Sequence, residues 1–334
     1  MRHLFNIAAF ALLLSLPLAL ASPEAPLTPQ QRNQAIEDIA SAFEQTYIFP
    51  EVATAIAADL RTRRERGEYD RIGASRELAA VLSRHVDAIA HDKHTEVAYF
   101  EEDQLADTPA DPAAQKRREE ARKARALAAN FDFAAPRRLP GNIALVRFDS
   151  FHAPADAAPF VQRLMSDQAD ADALVLDLRE NGGGSAQLIP VLASYLFDDQ
   201  PVHLYDQVDR RLGTRTQAWT DPAVPGKRFG GSKPVYILTS AQTISAAENL
   251  AYTLQKLGRA LVVGERSAGA SHGSFGKPVS SHLVPMVASR RVIHAVTGSD
   301  WDRSGVLPDI KAPAQDALAA ALARARADLA GAAR

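Results

Sequence analysis

Ser245 stands in Thr243-Ile244-Ser245-Ala246-Ala247-Glu248, between a short apolar run, Pro234 to Leu238, and a stretch carrying Leu250, Leu254 and Leu257 at helical spacing. A serine at the head of a helix is ordinarily an N-cap, its oxygen taking a backbone N–H of the first turn. The same position also suits a nucleophile. The hydroxyl would lie at the carboxyl end of a strand, where open α/β sheets place their sites, and the N–H of Ala246 would point where an oxyanion forms. The chemistry would be acyl transfer. It asks for a second N–H donor, a proton acceptor and a group to orient that acceptor.

The second donor is offered by Arg179-Glu180-Asn181-Gly182-Gly183-Gly184-Ser185, which follows another apolar run, Ala173 to Leu178. Successive glycines let the backbone take positive φ and let another chain approach closely. A tight turn needs no more than that. A phosphate cradle does not fit, because no Gly-Lys-Ser/Thr follows and no spaced Gly-x-Gly-x-x-Gly is present. The N–H of Gly183 is the candidate to share an oxyanion with that of Ala246.

Proton acceptors are few. His94 lies in Asp92-Lys93-His94-Thr95 and His272 follows closely on Gly269. His91, Asp92 and His94 also read as a metal cluster, but no third group of ligands stands at suitable spacing, and neither a metal nor a cofactor is expected. Glu248, in the first turn after Ser245, is expected to satisfy the helix N-terminus rather than to take a proton. Trp301 reads as packing, Phe275 as a wall of a substrate cleft, and Arg179 as an ion-pair partner that fixes the glycine turn.

The elements that must position these residues follow from periodicity. From Thr28 to Tyr99 apolar residues recur at helical spacing: Ile36, Ile39 and Phe43, then Val52, Ile56 and Leu60, then Leu78, Leu82, Val86 and Ile89 over about Ser75 to Ala90. This predicts a small helical bundle over residues 27–100, closed by a strand from Glu96 to Phe100. Residues 101–130 are rich in Ala and charge and predict a solvated connector with a helix over Ala113–Ala129. Residues 131–312 predict an α/β core with strands at 143–148, 173–178, 234–238 and 260–263, and with helices at Pro159–Gln168 and Leu188–Phe197. A C-terminal helix over 313–334, with Leu318 and Leu322 on one face, is expected to pack on that core or to pair with another subunit.

Of the 334 residues 46% are hydrophobic and 23% charged, the formal net charge is −2, and cysteine is absent. The balance gives no electrostatic case for nucleic acid. Disulfides and thiolate chemistry are excluded. The compartment is written at the start, where Arg2 and His3 precede the apolar run Leu4 to Leu16 and Ala19-Leu20-Ala21 offers small residues for cleavage. That is a secretory signal peptide, residues 1–21. The run is shorter than the ~20 residues needed to span a bilayer, so no stable membrane insertion is expected and the mature chain would be periplasmic or secreted.

Three motifs in order, Asp177-Leu178-Arg179-Glu180-Asn181-Gly182-Gly183-Gly184-Ser185, Thr243-Ile244-Ser245-Ala246-Ala247-Glu248 and Gly264-Glu265-Arg266-Ser267-Ala268-Gly269, resemble the C-terminal processing (tail-specific) serine peptidase family. The likeness extends over Leu27 to Ile310 and is strongest to its branch of tricorn cores and interphotoreceptor retinoid-binding protein modules. It implies a ClpP/crotonase-like core of ββα units behind a helical bundle, with Ser245 as nucleophile. The processing proteases place a lysine 25 residues after the serine, where this chain has Ala270. In the tricorn-like branch the base is a histidine ahead of the core, and Asp92-Lys93-His94-Thr95 resembles that motif, with Lys93 in place of a small residue. The supporting carboxylate would be Asp302, in Trp301-Asp302-Arg303-Ser304-Gly305-Val306, where relatives carry the longer glutamate.

The expectation is an exported serine peptidase acting on peptides or unfolded proteins through Ser245, His94 and Asp302, with Gly183 and Ala246 as the oxyanion donors and His272 as a rival base. The alternative is a non-catalytic carrier of apolar ligands on the same fold. A homo-oligomer is compatible with either.

Overall fold

The computed structural model describes residues 26–105 and 112–332. The signal peptide expected over residues 1–21 lies outside the described residues. Three helices come first: α1 Pro29–Thr46, α2 Pro50–Glu65 and α3 Ser75–Ala90. Thr28 starts α1 through a capping box with Gln31, each side chain satisfying the other's backbone N–H ahead of Pro29. His91 closes α3 in the left-handed region at φ 49°, its N–H donating to the carbonyl of Asp87, so this exposed histidine is a helix cap. The short strand β1, Glu96–Tyr99, follows. Helix α4, Pro112–Ala128, lies where the charged connector predicted one.

The core opens with β2 Arg137–Leu139 and β3 Ile143–Arg147, then α5 Pro154–Asp167, β4 Ala173–Asp177 and the short α6 Ile189–Ser194. A hairpin, β5 His203–Asp209 and β6 Thr214–Trp219, precedes β7 Val235–Thr239, α7 Ala246–Lys256 and β8 Leu261–Gly264. The chain finishes with β9 Gly273–Gly276, the long β10 Leu283–His294, β11 Ile310–Lys311 and α8 Ala317–Ala332.

Two sheets result. The larger has the order β11-β8-β7-β4-β3-β2, parallel except at β2. Its central strands β3, β4, β7 and β8 are buried along almost their whole length because both faces are covered. Ala144, Val146, Leu174, Leu176, Ile237 and Val262 meet α5, α6 and α7, while Val175, Tyr236, Leu238 and Val263 meet Ala317, Ala321 and Ala325 of α8. The C-terminal helix therefore packs on the core, with Tyr236 donating to Asp328 at 2.6 Å.

The second sheet, β1-β10-β5-β6 with β9 also on β10, was not foreseen from the sequence. Burial does not alternate along β5, β6 or β10, so no period-two pattern marks them in the sequence. It decides how the bundle sits. β1 runs antiparallel to β10, pairing Glu96–Tyr99 with Leu283–Met286, and Leu283, Val287 and Ala288 share one apolar cluster with α1, α2 and α3. The bundle is thus joined to the α/β core through β10.

Candidate active site

The site forms where neighbouring parallel strands end. β4 and β7 pair in register, Asp177 opposite Leu238, so the glycine turn that follows β4 lies beside the turn that follows β7. Ser245 occupies that second turn at φ 62° and ψ −119°, a conformation side chains rarely adopt. It is held there by Glu248. This fully buried carboxylate accepts the N–H of Ser245 at 2.9 Å, the hydroxyl of Ser267 at 2.5 Å, and the N–H groups of Gly269 at 2.6 Å and Ala270 at 2.9 Å. Burial pushes the Glu248 carboxyl upward, and these donors oppose the shift.

The glycine turn touches the serine directly. At φ 85°, a Cβ on Gly183 would meet the Ser245 Cβ at 2.7 Å and the Ala246 nitrogen at 3.2 Å, so only glycine fits. Asn181, fully buried, donates to the carbonyl of Phe148 and accepts the Gly183 N–H at 2.9 Å. That differs from the expectation that the Gly183 N–H is open to an oxyanion. A buried amide oxygen two residues back claims it, a local side-chain bond that residue spacing does not reveal. Arg179 pairs with Asp177 at 2.6 Å and donates to the carbonyl of Ala314, which fixes the start of the turn.

The two histidines face Ser245 from different walls. His94 shares one recess with Gly182, Gly184, Ile244, Ser245 and Arg290. His272 shares a cleft of about 320 Å³ with Ser245, Ala246, Asn249 and Trp301. Asp92, 3% exposed, lies between them. One of its oxygens accepts the backbone N–H of His94 at 3.0 Å, and the other accepts Nδ1–H of His272 at 2.7 Å and the Tyr47 hydroxyl at 3.2 Å. Burial alone would raise the Asp92 carboxyl, but the bonds to His272 and His94 outweigh it and hold it low. Nδ1 of His94 and Nε2 of His272 are buried without a protein partner. Burial lowers the His94 pKa. It also works against protonation of His272, but there Asp92, Asp302 and Asp300 together prevail and the pKa rises.

Asp302 does not come to His94. Its carboxylate stands 3.9 Å from Nδ1 of His272, and burial raises its pKa. Trp301, 1% exposed, donates from its indole to the carbonyl of Ala270 and walls the cleft. Phe275 lies elsewhere, in a groove with Thr46, Lys277 and Val287, so it is not a wall of the Ser245 cleft. Sequence reasoning gave Asp92 no part beyond a metal cluster and did not notice Tyr47. Their roles depend on α1 and α3 meeting the segment after β8, a contact 180 residues apart in the chain. Among the described residues no group of side chains suited to a metal ion is found.

Comparison with known proteins bears on the family and the fold. The N-terminal domain of Peptidase_S41 in eukaryotic IRBP matches residues 26–129. The carboxyl-terminal-processing protease of Picosynechococcus sp. is 28% identical over 190 residues, covering 56% of this chain and 43% of that protein. CtpB of Bacillus subtilis, a carboxy-terminal processing protease, is 31% identical over 147 residues, 44% of this chain and 27% of its own. The chain thus spans less than half the length of these curated relatives. Among solved structures, a lipoprotein from Streptococcus agalactiae superposes with a TM-score of 0.58 at 16% identity over 90% of this chain and 98% of that one. The photosystem II D1 C-terminal processing protease does so at 0.54 and 17%, over 86% and 94%. The tricorn protease gives 0.51 and 13%, over 87% of this chain and 35% of its own. These likenesses show the fold. Peptidase family S41 itself matches residues 142–312, which hold the glycine turn, the serine elbow, His272 and Asp302, and the chain belongs to that family.

Proposed function

We propose that this chain is a serine peptidase acting outside the cytoplasm on peptides or unfolded proteins. The observation that carries the reading is Ser245 itself, held at a left-handed elbow between β7 and α7 against the glycine turn, with the half-buried imidazole of His94 and the buried one of His272 beside it. A merely structural cap gains nothing from such a backbone, which costs ~1–3 kcal/mol. Ser245 attacks the peptide carbonyl, an imidazole takes its proton, and the oxyanion is held by the N–H of Ala246, the Gly183 N–H being already bonded to Asn181. His94 and Asp302 enter as the histidine and carboxylate that the family likeness implies.

Export is supported by the charged start and the apolar run Leu4–Leu16. Among the described residues no helix is long and apolar enough to cross a membrane. The names of the similar processing proteases support a protein tail as substrate.

Replacement of Ser245 by Ala is expected to lower hydrolysis of unfolded casein by more than about 10³-fold with the thermal unfolding profile unchanged. Retained hydrolysis would exclude the reading. The carrier reading is favoured by the match of the N-terminal region to the retinoid-binding protein's domain. Against it stand the polar groups that line the cleft, Gln187, Gln207, Asn249 and Arg290 among them.

A further inference from the structure

We propose that Arg290 makes this site selective for substrates with a glutamate or aspartate beside the scissile bond, its guanidinium receiving that side-chain carboxylate. The inference rests on the peptidase reading and names the substrate class of the same site. Ser245 stands between two recesses, one of about 320 Å³ that includes Gln187, Gln207, Asn249 and Trp301, the other including His94, Gly182 and Ser274. Arg290 lines both, and among the described residues neither has an aspartate or glutamate in its wall. A peptide whose carbonyl reaches Ser245 sends its flanking side chains toward these recesses, and Arg290 is the cation they share.

The fold leaves that charge unneutralised. Arg290 is half-buried on β10, and among the described residues its guanidinium meets no carboxylate. The acids around it are engaged elsewhere. Asp209 lies directly opposite Arg290 in the β5–β10 pairing, where side chains share a face, yet its carboxylate accepts the N–H of Leu212 at 3.0 Å and stands 3.9 Å from Arg211. Asp300 pairs with Arg291, the other cation of the larger recess, at 3.0 Å. Asp92 is bonded by His272 and Tyr47.

A purely structural tie between β10 and β9 would use the same side chain differently. Arg290 donates from Nη2 to the carbonyl of Ser274 at 2.9 Å, which occupies a small part of a planar fork rich in donors. Gly273 makes room for that fork: a Cβ there would meet Nε of Arg290 at 2.9 Å and Cζ at 3.2 Å. The guanidinium is thus held against β9 with donors to spare, which cuts the cost of ordering it on a carboxylate. Its charge reaches the site. Burial chiefly lowers the His94 pKa, and the positive charges of His272 and Arg290 add to the effect.

The test is hydrolysis of a synthetic decapeptide library by the purified protein, with cuts mapped by mass spectrometry, followed by kcat/KM on matched peptides carrying Glu or Gln beside the bond that is cut. The wild type is expected to prefer Glu by at least ~10-fold, and Arg290→Gln to bring the ratio to about 1. The ratio is taken within each variant, so a general loss of activity or fold does not imitate the result. Arg290→Lys keeps the charge and should retain part of the preference, and raising NaCl to ~0.5 M should narrow the wild-type ratio without any substitution.

Equal rates on the Glu and Gln peptides in the wild type, or a Glu preference that survives in Arg290→Gln, overturns the proposal and leaves the peptidase reading standing. The library is made with free and with amidated C-termini. A need for the free terminus in place of Glu would show that the cation holds the chain end, and overturns the proposal as well. Failure to cut any peptide, with Ser245 unlabelled by a fluorophosphonate probe in the folded protein, overturns the peptidase reading and this one with it.

Discussion

Glu248 shows how much of a serine site can be spent on holding the backbone. It accepts four donors, from Ser245, Ser267, Gly269 and Ala270, and so ties the start of α7 to the segment that follows β8 and leads to His272. A glutamine there presents one acceptor and an NH₂ group to the same donors. Bonds to a charged acceptor are worth ~1.5–3 kcal/mol each and buried donors left unmet cost ~1–3 kcal/mol. Glu248→Gln is therefore expected to destabilise the fold by about 3 kcal/mol, read from urea unfolding, and to slow turnover because the elbow and His272 lose a shared support. Unchanged stability would show that the four donors find other partners. At this scale the sequence was partly legible. The placing of Glu248 in the first turn after Ser245 indicated a capping role, but the claim of Asn181 on the Gly183 N–H rests on a side-chain rotamer that spacing cannot supply.

At the scale of elements, β10 governs the geometry. It carries β1 on one side and β5 and β9 on the others, and its buried Leu283, Val287 and Ala288 belong to the cluster that holds α1, α2 and α3. Asp92 and His94 lie between α3 and β1, so their position relative to Ser245 depends on this strand. Leu283 is fully buried opposite Tyr99. Leu283→Ala is expected to cost about 2–5 kcal/mol of stability in chemical denaturation. It should also lower activity in proportion to the loosening of β1, because Asp92 then drifts from His272. A variant equally unstable but fully active per folded molecule would show that β1 is not what holds Asp92 in place. The sequence showed three helices and four strands of the parallel sheet by their periodicity and apolar runs. It did not show β10, whose twelve residues include Pro285, Ser289, Arg290 and Arg291 and alternate poorly.

For the whole molecule, buried and half-buried histidines tie stability to pH. Burial lowers the pKa of His85, His94 and His294, while Asp92, Asp302 and Asp300 overcome the effect of burial and raise that of His272. In the unfolded chain each titrates near ~6.5. A lowered group contributes stability that is present above ~6.5 and is lost as pH falls through its folded value, because the unfolded chain then binds the proton more readily. His272 acts in the opposite sense: its contribution is present below ~6.5 and is lost as pH rises through its higher folded value. His294 is 1% exposed, and its Nδ1 accepts the N–H groups of Val296 and Thr297, which a protonated ring could not do. The urea midpoint is expected to fall between pH 7 and 5.5, and His294→Asn to flatten that slope. A midpoint that rises over the same interval would mean that His272 dominates the balance.

Most of the large-scale architecture was legible because it follows from periodicity and three local motifs. The joining of the bundle to the core was not, since it depends on contacts far apart in the chain.

The left-handed backbone of Ser245 also bears on what this lineage of folds can become. A residue with a Cβ held at φ 62° carries strain of ~1–3 kcal/mol, which glycine relieves, less the ~0.5–1 kcal/mol that glycine loses in chain entropy. Ser245→Gly should therefore melt at a higher temperature than the parent chain in calorimetry, by a margin corresponding to about 1 kcal/mol, whereas Ser245→Ala keeps the strain and should melt as the parent does. A lower melting point for the glycine variant would show that the elbow is relaxed. If the margin is real, reactivity is maintained here against a standing pull toward inertness. A duplicated copy freed from selection for turnover would gain robustness with its first step away from catalysis, and a binding protein could arise from such a peptidase by relaxation alone.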